Sequence, residues 1–255
     1  MPYEIVTIPC LSDNYAFVIV NTQTKEAAIV DVPEAAPINA AVAARGLKLT
    51  TVLLTHHHWD HVDGLDGLEN RGTLHIVGAA ADAHRLPSLD AAVHEGDRIS
   101  VCGADTQIID VSGHTLGHIA FHMPELNAVF TADSLMALGC GRLFEGTPAH
   151  MLTSMDKMAA LPEDTVVYSG HEYTDTNARF ALTIEPDNAA LISRAERVSA
   201  DTTAGVPTVP STLKLELATN PFLRAHVPQI ATHLGMADAS KLEVFTEIRT
   251  RRNGF

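Results

Sequence analysis

Cysteine is scarce in this chain of 255 residues: Cys10, Cys102 and Cys140 are the three it has. An odd number with no C-x-x-C pair argues against a disulfide framework and fits a reducing compartment. Positive charge is also short. Lys+Arg number 17 against 31 Asp+Glu, a formal net charge of −14 with histidine neutral. Such a field repels phosphate backbones, so nucleic acid is not an expected partner. Long apolar runs are missing too; none approaches the ~20 residues of a membrane helix. The opening Met1-Pro2-Tyr3-Glu4 brings no basic stretch ahead of an apolar one, so no secretory signal is expected. Glycine and proline, 16 and 13, are near average, which removes collagen-like and low-complexity readings. What is left is a globular protein expected in the cytoplasm, with 46% hydrophobic and 19% charged residues.

At roughly 150 residues per domain, the length allows one large domain or one domain with an appendage. Short apolar or β-branched runs bounded by turn residues predict strands at 3–8, 16–20, 27–31, 51–55, 74–77, 106–111, 119–122, 128–131 and 165–169. Helical patterns interrupt them at 35–45, 61–69 and 149–160, with Pro148 suited to the first turn of the last. Beyond 171 the texture becomes helical, at 177–184, 188–200, 211–218, 227–234 and 239–252, punctuated by prolines. The expectation is a mixed α/β domain over 1–173 and a helical domain over 174–255.

Histidine is what the chain has in excess, with 14 residues. Four of them, with one aspartate, crowd into Thr55-His56-His57-His58-Trp59-Asp60-His61, directly after the apolar run Val52-Leu53-Leu54. If the chain stays extended past Thr55, His56 and His58 point to one side and can share a metal ion. Asp60 and His61 follow as the chain turns into a helix and can address a second ion. Imidazole with carboxylate suits zinc, iron, manganese or cobalt better than magnesium or calcium. Alternation turns His57 and Trp59 away, as packing residues.

Three later strand ends each offer ligand-type side chains beside small residues: Gly113-His114-Thr115-Leu116-Gly117-His118, Phe130-Thr131-Ala132-Asp133 and Ser169-Gly170-His171-Glu172. Singly each is weak, since a histidine after a strand is more often structural. Jointly, with the first cluster, they supply a complete set. Cys140 lies in a Gly-rich turn with no activating base beside it in sequence, and reads as a small buried filler.

The H-x-H-x-D-H run and the later His, Asp and His, in that order, resemble the metallo-β-lactamase superfamily. Four segments narrow the resemblance to the hydroxyacylglutathione hydrolase (glyoxalase II) family: Gly113-His114-Thr115-Leu116-Gly117-His118, Gly139-Cys140-Gly141-Arg142-Leu143-Phe144-Glu145-Gly146, Gly170-His171-Glu172-Tyr173-Thr174 and Asn220-Pro221-Phe222-Leu223-Arg224. The resemblance runs from the first strand to Phe255. It implies an α/β fold, a four-layer αββα sandwich with a helical C-terminal domain that binds substrate. It implies two divalent metal ions, zinc ahead of iron or manganese. His56, His58 and His114 would hold the first ion, and Asp60, His61 and His171 the second. Asp133 would bridge them together with a water or hydroxide. Asp60 would also orient that hydroxide as a catalytic residue. His118 matches a position that either orients a ligand or simply packs.

The reaction implied is hydrolysis of S-(2-hydroxyacyl)glutathione, with S-D-lactoylglutathione giving glutathione and D-lactate in the second step of methylglyoxal detoxification. Attack would come from the bridging hydroxide. A thiolate leaves without a dedicated acid, its thiol pKa being ~8.5, which suits a site of histidines and carboxylates. The alternative is another hydrolase of the same fold, acting on a lactone or a different ester or thioester. By the same resemblance Arg142, Phe144, Tyr173, Arg249 and Arg252 would contact glutathione, whose net negative charge calls for cations. Some family members carry Lys at 142 and 252, Tyr at 144, and glycine where this chain has Asp63. The partner expected is therefore a small-molecule thioester, with no membrane and the oligomeric state open.

Overall fold

The computed structural model describes residues 2–255. These divide into two compact units, one reaching to Asp110 and including Leu116–Thr131, the other formed by Val111–Thr115 and Ala132–Phe255.

The first unit opens with three antiparallel strands, β1 (Tyr3–Cys10), β2 (Asn14–Asn21) and β3 (Glu26–Val30). Helix α1 (Ala35–Ala44) then carries the chain over to β4 (Lys48–Leu53), parallel to β3, and β5 (His75–Ala79) and β6 (Ala91–Val93) extend the parallel half. Parallel neighbours need such crossovers. The sheet order is β1-β2-β3-β4-β5-β6.

All of β2 but its last residue is buried, because both of its faces are covered. Ala16, Val18 and Val20 join Ile29, Val52, Ile76 and Ile38 of α1 in one core. Phe17 points the other way, its ring 5.8 Å from Phe130. Phe130 belongs to a second, antiparallel meander: β7 (Arg98–Val101), β8 (Ala104–Asp110), β9 (Ile119–Met123) and β10 (Ala128–Ala132). A hydrogen bond from Asn21 Nδ2 to the Cys102 carbonyl, 2.9 Å, ties the two sheets at another point.

Beyond β4 the chain stays extended to His58 and then makes a single helical turn, α2 (Trp59–Val62). The helix expected over 61–69 is cut short and continues as a 3-10 turn at Leu65–Gly67. Close approach to α1 explains this. A Cβ on Gly64 would stand 2.8 Å from the Val32 carbonyl, and one on Gly67 2.8 Å from the Cβ of Ala35.

The second unit holds a tight hairpin, β11 (Leu135–Met136) and β12 (Gly139–Cys140), which the sequence reading lacks. Helix α3 (Pro148–Ala159) follows, capped by Thr147 and begun by Pro148 as expected. Strand β13 (Val166–Ser169) pairs with the two-residue β14 (Ser211–Thr212). The helices are α4 (Thr174–Ile184), α5 (Ala189–Thr203), α6 (Leu213–Thr219), α7 (Pro228–His233) and α8 (Lys241–Asn253). Asn188 caps α5 through Ala190 N and Leu191 N, and Ser240 with Glu243 forms a capping box on α8. Leu138 of the hairpin tip is fully buried with Ala178, Ala181, Leu191 and Val198 of α4 and α5. The α/β class and the helical C-terminal segment are as expected. No helix among the described residues is long and apolar enough to cross a membrane.

Candidate metal centre

Strands β3 and β4 lie side by side in parallel, with Val30 opposite Leu53. Their ends therefore bring Asp31 and Thr55 together. The Asp31 carboxylate accepts from Thr55 N at 2.9 Å, from Thr55 Oγ1 at 2.8 Å and from His61 Nδ1 at 2.8 Å. His56 Nδ1 lies 3.0 Å from Thr55 Oγ1. Since the hydroxyl proton goes to Asp31, the Thr55 oxygen accepts the Nδ1 proton of His56. Both imidazoles thus carry their proton on Nδ1, which leaves Nε2 as the unprotonated nitrogen. Asp31, His56 and His61 are all buried, and one potential ligand atom of each lies within 4.8 Å of the others. Asp31 spends both oxygens on hydrogen bonds and so orients the two candidate ligand rings.

The donor set fits a transition-metal cation. His56 Nε2 and His58 Nδ1 converge at 3.2 Å, the placement two nitrogen ligands of one ion require. Asp60 is fixed by Asn14, whose Nδ2 donates to its carbonyl at 3.0 Å and to Oδ2 at 3.1 Å. That Oδ2 stands 3.8 Å from His61 Nε2. His118 is fully buried and stacks on the His56 ring at 4.5 Å and 11°, with Nδ1 3.1 Å from the Ile119 carbonyl. It walls in the His56 ring.

His57 turns away as the alternation predicts, but into a hydrogen bond with a buried carboxylate. Its Nδ1 is 2.7 Å from Asp82 Oδ2, and Asp82 also accepts from Arg85 Nε at 2.7 Å. Trp59, expected to pack, is 64% exposed, because the single turn of α2 directs it to solvent.

In the second unit His114 donates from Nδ1 to the Arg142 carbonyl at 2.7 Å, which leaves Nε2 as its unprotonated nitrogen. That nitrogen is 3.4 Å from Asp133 Oδ2, and His171 Nε2 is 3.3 Å from the same oxygen. One carboxylate oxygen thus stands between two imidazole nitrogens, three potential donor atoms gathered at one place. Backbone strain accompanies it: Ala132, just before Asp133, has φ 40°. Gly141 is required for close approach, since a Cβ there would sit 1.8 Å from the Asp133 carbonyl oxygen.

Three of the five expected substrate contacts are exposed beside these ligands. The Arg142 guanidinium lies 5.6 Å from the Phe144 ring centroid, and Phe144 meets the His114 ring edge-on at 5.3 Å. Tyr173 stacks on His171 at 4.7 Å and 8°. Arg252 is half-buried, with Nη2 3.1 Å from Asn177 Oδ1. Arg249 is 5% exposed and donates from Nη1 to the Cys140 carbonyl at 2.8 Å and the Gly141 carbonyl at 3.3 Å. Burial raises the Cys140 thiol pKa, with Arg249 opposing, so the group is a neutral filler. Asp31, Thr55 and Asn14 are absent from the sequence reading. Asp31 carried the signal used elsewhere, a ligand-type side chain ending an apolar strand.

Residues 12–171 match the family model of the metallo-β-lactamase superfamily, and residues 172–255 that of the hydroxyacylglutathione hydrolase C-terminus. The hydroxyacylglutathione hydrolase of Ruegeria pomeroyi is 60% identical over 255 residues, all of both chains. That of a Jannaschia species is 60% identical over 252 residues, 99% of this chain and 98% of its own. Among solved structures, ETHE1 from Myxococcus xanthus superposes with a TM-score of 0.70 at 24% identity, covering 99% of this chain and 92% of its own, a likeness of fold. With both models matched end to end and relatives this similar along the whole length, the chain belongs to the metallo-β-lactamase superfamily and, within it, to the hydroxyacylglutathione hydrolases.

Proposed function

We propose that this enzyme hydrolyses the thioester of S-(2-hydroxyacyl)glutathione to glutathione and a 2-hydroxy acid, with S-D-lactoylglutathione the substrate and D-lactate the acid. This is the second step of methylglyoxal detoxification, in the cytoplasm, a setting supported by three free, buried thiols. The substrate reading is carried by the 60% identity to hydroxyacylglutathione hydrolases, which extends through the helical segment.

Two divalent cations, zinc ahead of iron or manganese, would be held by His56, His58 and His114 and by Asp60, His61 and His171, with Asp133 shared. Bound there, they supply a water acidified toward neutral pH and a polarised substrate carbonyl. The chain's own residues do the rest. Asp31 and Thr55 fix the His61 and His56 tautomers, and the Arg142 carbonyl fixes that of His114. The Asn14 amide holds the Asp60 carboxylate in one orientation, so that Asp60 can accept a proton from the attacking water. The leaving thiolate needs no proton donor at neutral pH, its thiol pKa being ~8.5. Arg142, Phe144 and Tyr173, all exposed, are the contacts for the glutathione moiety, with Arg252 behind them; Phe144 offers no hydroxyl.

The test is hydrolysis of S-D-lactoylglutathione by purified protein, with metal content measured on the same sample. About two metals per chain, and activity lost on chelation and restored by zinc, are expected. A dimetal protein inert to this thioester overturns the reading and favours lactones or other esters.

A further inference from the structure

His57 stands between two candidate ligands and is not one itself. Its Nδ1 donates at 2.7 Å to Oδ2 of Asp82, a carboxylate that is fully buried. We infer that Asp82 is a positioning residue for His56 and His58, acting through the His57 ring that separates them. The inference rests on the metal-site reading above.

Asp82 is itself placed by the sheet. Strands β4 and β5 run parallel, with Leu53 opposite Val77, and Leu54 N donates to the Val77 carbonyl at 2.8 Å. The segments that leave these two strands therefore emerge side by side. One carries His56, His57 and His58; the other makes a 3-10 turn over Ala80–Asp82. The Asp82 carbonyl accepts from Arg85 N at 2.9 Å and from Leu86 N at 3.0 Å, and Leu86 is buried in the core of this sheet. Gly117 closes one flank, since a Cβ there would stand 2.5 Å from the Asp82 carboxyl carbon. Arg85 Nε donates to Oδ1 at 2.7 Å, so each carboxylate oxygen has its own donor. Held at its backbone, on a flank and at both oxygens, the carboxylate is a fixed post for His57.

Alternation carries the effect to the ligands. Neighbours on an extended chain project to opposite faces, so anchoring His57 on one face fixes the twist of the backbone that aims His56 and His58 from the other. His58 is still extended, at φ −61° and ψ 142°, and its Nδ1 meets His56 Nε2 at 3.2 Å. Without Asp82 the His57 ring loses its post and the backbone on either side gains freedom to turn, which parts those two nitrogens. Partners that orient metal ligands govern affinity for the ion. Asp82 acts one residue away from the ligands, which places its effect at the low end of that range.

Full-length Asp82→Ala, Asp82→Asn and Arg85→Met proteins, loaded with zinc, test this. Zinc affinity is measured by competition with a chromogenic chelator, and kcat and KM with S-D-lactoylglutathione. Asp82→Ala is expected to hold one of its two zinc ions about tenfold less tightly. Excess zinc should restore its kcat, with KM at the parental value. Asp82→Asn should stay close to the parent. Its amide can donate to His57 Nδ1 once that ring moves its proton to Nε2, and its oxygen still accepts from Arg85. Arg85→Met supplies the contrast: the other oxygen loses its donor but the His57 bond stays, so the thermal midpoint falls and zinc affinity holds.

Parental zinc affinity in a folded Asp82→Ala protein would overturn the inference, whatever its stability. So would an equal loss of zinc in Arg85→Met, which would mark a general loosening of the turn, or in Asp82→Asn, which would assign the effect to charge and not to the His57 contact. Circular dichroism checks the fold. If Asp82→Ala does not fold, His57→Ala decides by the same zinc measurement, a tenfold loss supporting the inference and parental affinity overturning it; if neither folds, the pair is a core contact and the positioning role is overturned. A parent protein that binds no zinc, or spares the thioester, fails the underlying reading instead.

Discussion

The Asp31 carboxylate and the His61 Nδ1 lie 2.8 Å apart, both side chains buried, with Asp31 held at φ 57°. One aspartate, reached by two hydrogen bonds from Thr55 at a strand end and one from His61 in a helix, sets the direction of two imidazoles at once, that of His61 directly and that of His56 through the Thr55 hydroxyl. Asparagine tolerates the same backbone conformation but lacks the charge and presents a donor where an acceptor is needed. Asp31→Asn is expected to fold and to lose metal affinity by about 10–100-fold. Metal content after dialysis against a weak chelator checks it; a parental metal content would remove Asp31 from this role.

Gly141→Ala should fail for a steric reason. The added Cβ meets the Asp133 carbonyl oxygen at 1.8 Å and His114 Nδ1 at 3.1 Å, neither of which can retreat without moving a ligand. Overpacking of this kind costs about 1–3 kcal/mol and occasionally more. A lowered thermal midpoint together with lowered metal content is the expected result. A drop in midpoint with metal binding intact would show that the segment yields elsewhere.

Arg194 and Glu216 form a buried ion pair, 5% and 0% exposed at the side chains, and Glu216 also accepts from Ser211 and Asn220. Removing one partner strands a buried charge. Glu216→Gln is expected to destabilise the protein by about 3–5 kcal/mol in denaturant unfolding. An Arg194→Met/Glu216→Leu double variant should recover part of that loss, since no charge is left unpaired. Equal losses in the single and double variants would contradict the account.

Glu185 supplies a pH dependence. Burial alone would raise its pKa, but hydrogen bonds from Arg224 and Asn188 outweigh it and hold the carboxyl below its usual range. A carboxylate with a depressed folded pKa contributes stability above its unfolded value, and loses it as pH falls through the folded one. The stability gap between the parent and Glu185→Gln should therefore be widest near neutral pH and close in acid. Thermal midpoints across that range check it; a gap that widened in acid would reverse the sign.

Most of the candidate metal-ligand set was legible because each member follows an apolar strand, where the chain leaves the sheet and side chains can converge. His56, His58 and Asp133 are in this sense announced by local pattern. Asp31 ends an apolar strand too, yet its importance lies in a parallel pairing with β4, a relation between distant segments that no local pattern expresses. The hairpin at Leu135–Cys140 escaped because two-residue strands leave no alternation to read. The family resemblance offers Arg249 as a glutathione contact, and nothing local in the sequence shows that Phe222 and the Cys140 carbonyl are brought around its side chain. The face of α8 that is buried depends on the partners it meets, and its sequence alone does not reveal them.

The hairpin tip also bears on how this molecule can be taken apart. The two matched family models meet at residues 171 and 172, which invites treating the halves as interchangeable modules. The second compact unit runs straight through that seam, with Leu138 plugged among α4 and α5 and Asn220 gripping the turn. A hybrid spliced at 171 would inherit a hairpin from one parent and its socket from another. Changes at Leu138 would have to travel with changes at Ala178, Ala181 and Leu191. The unit that descends together is thus larger than the one the family seam suggests.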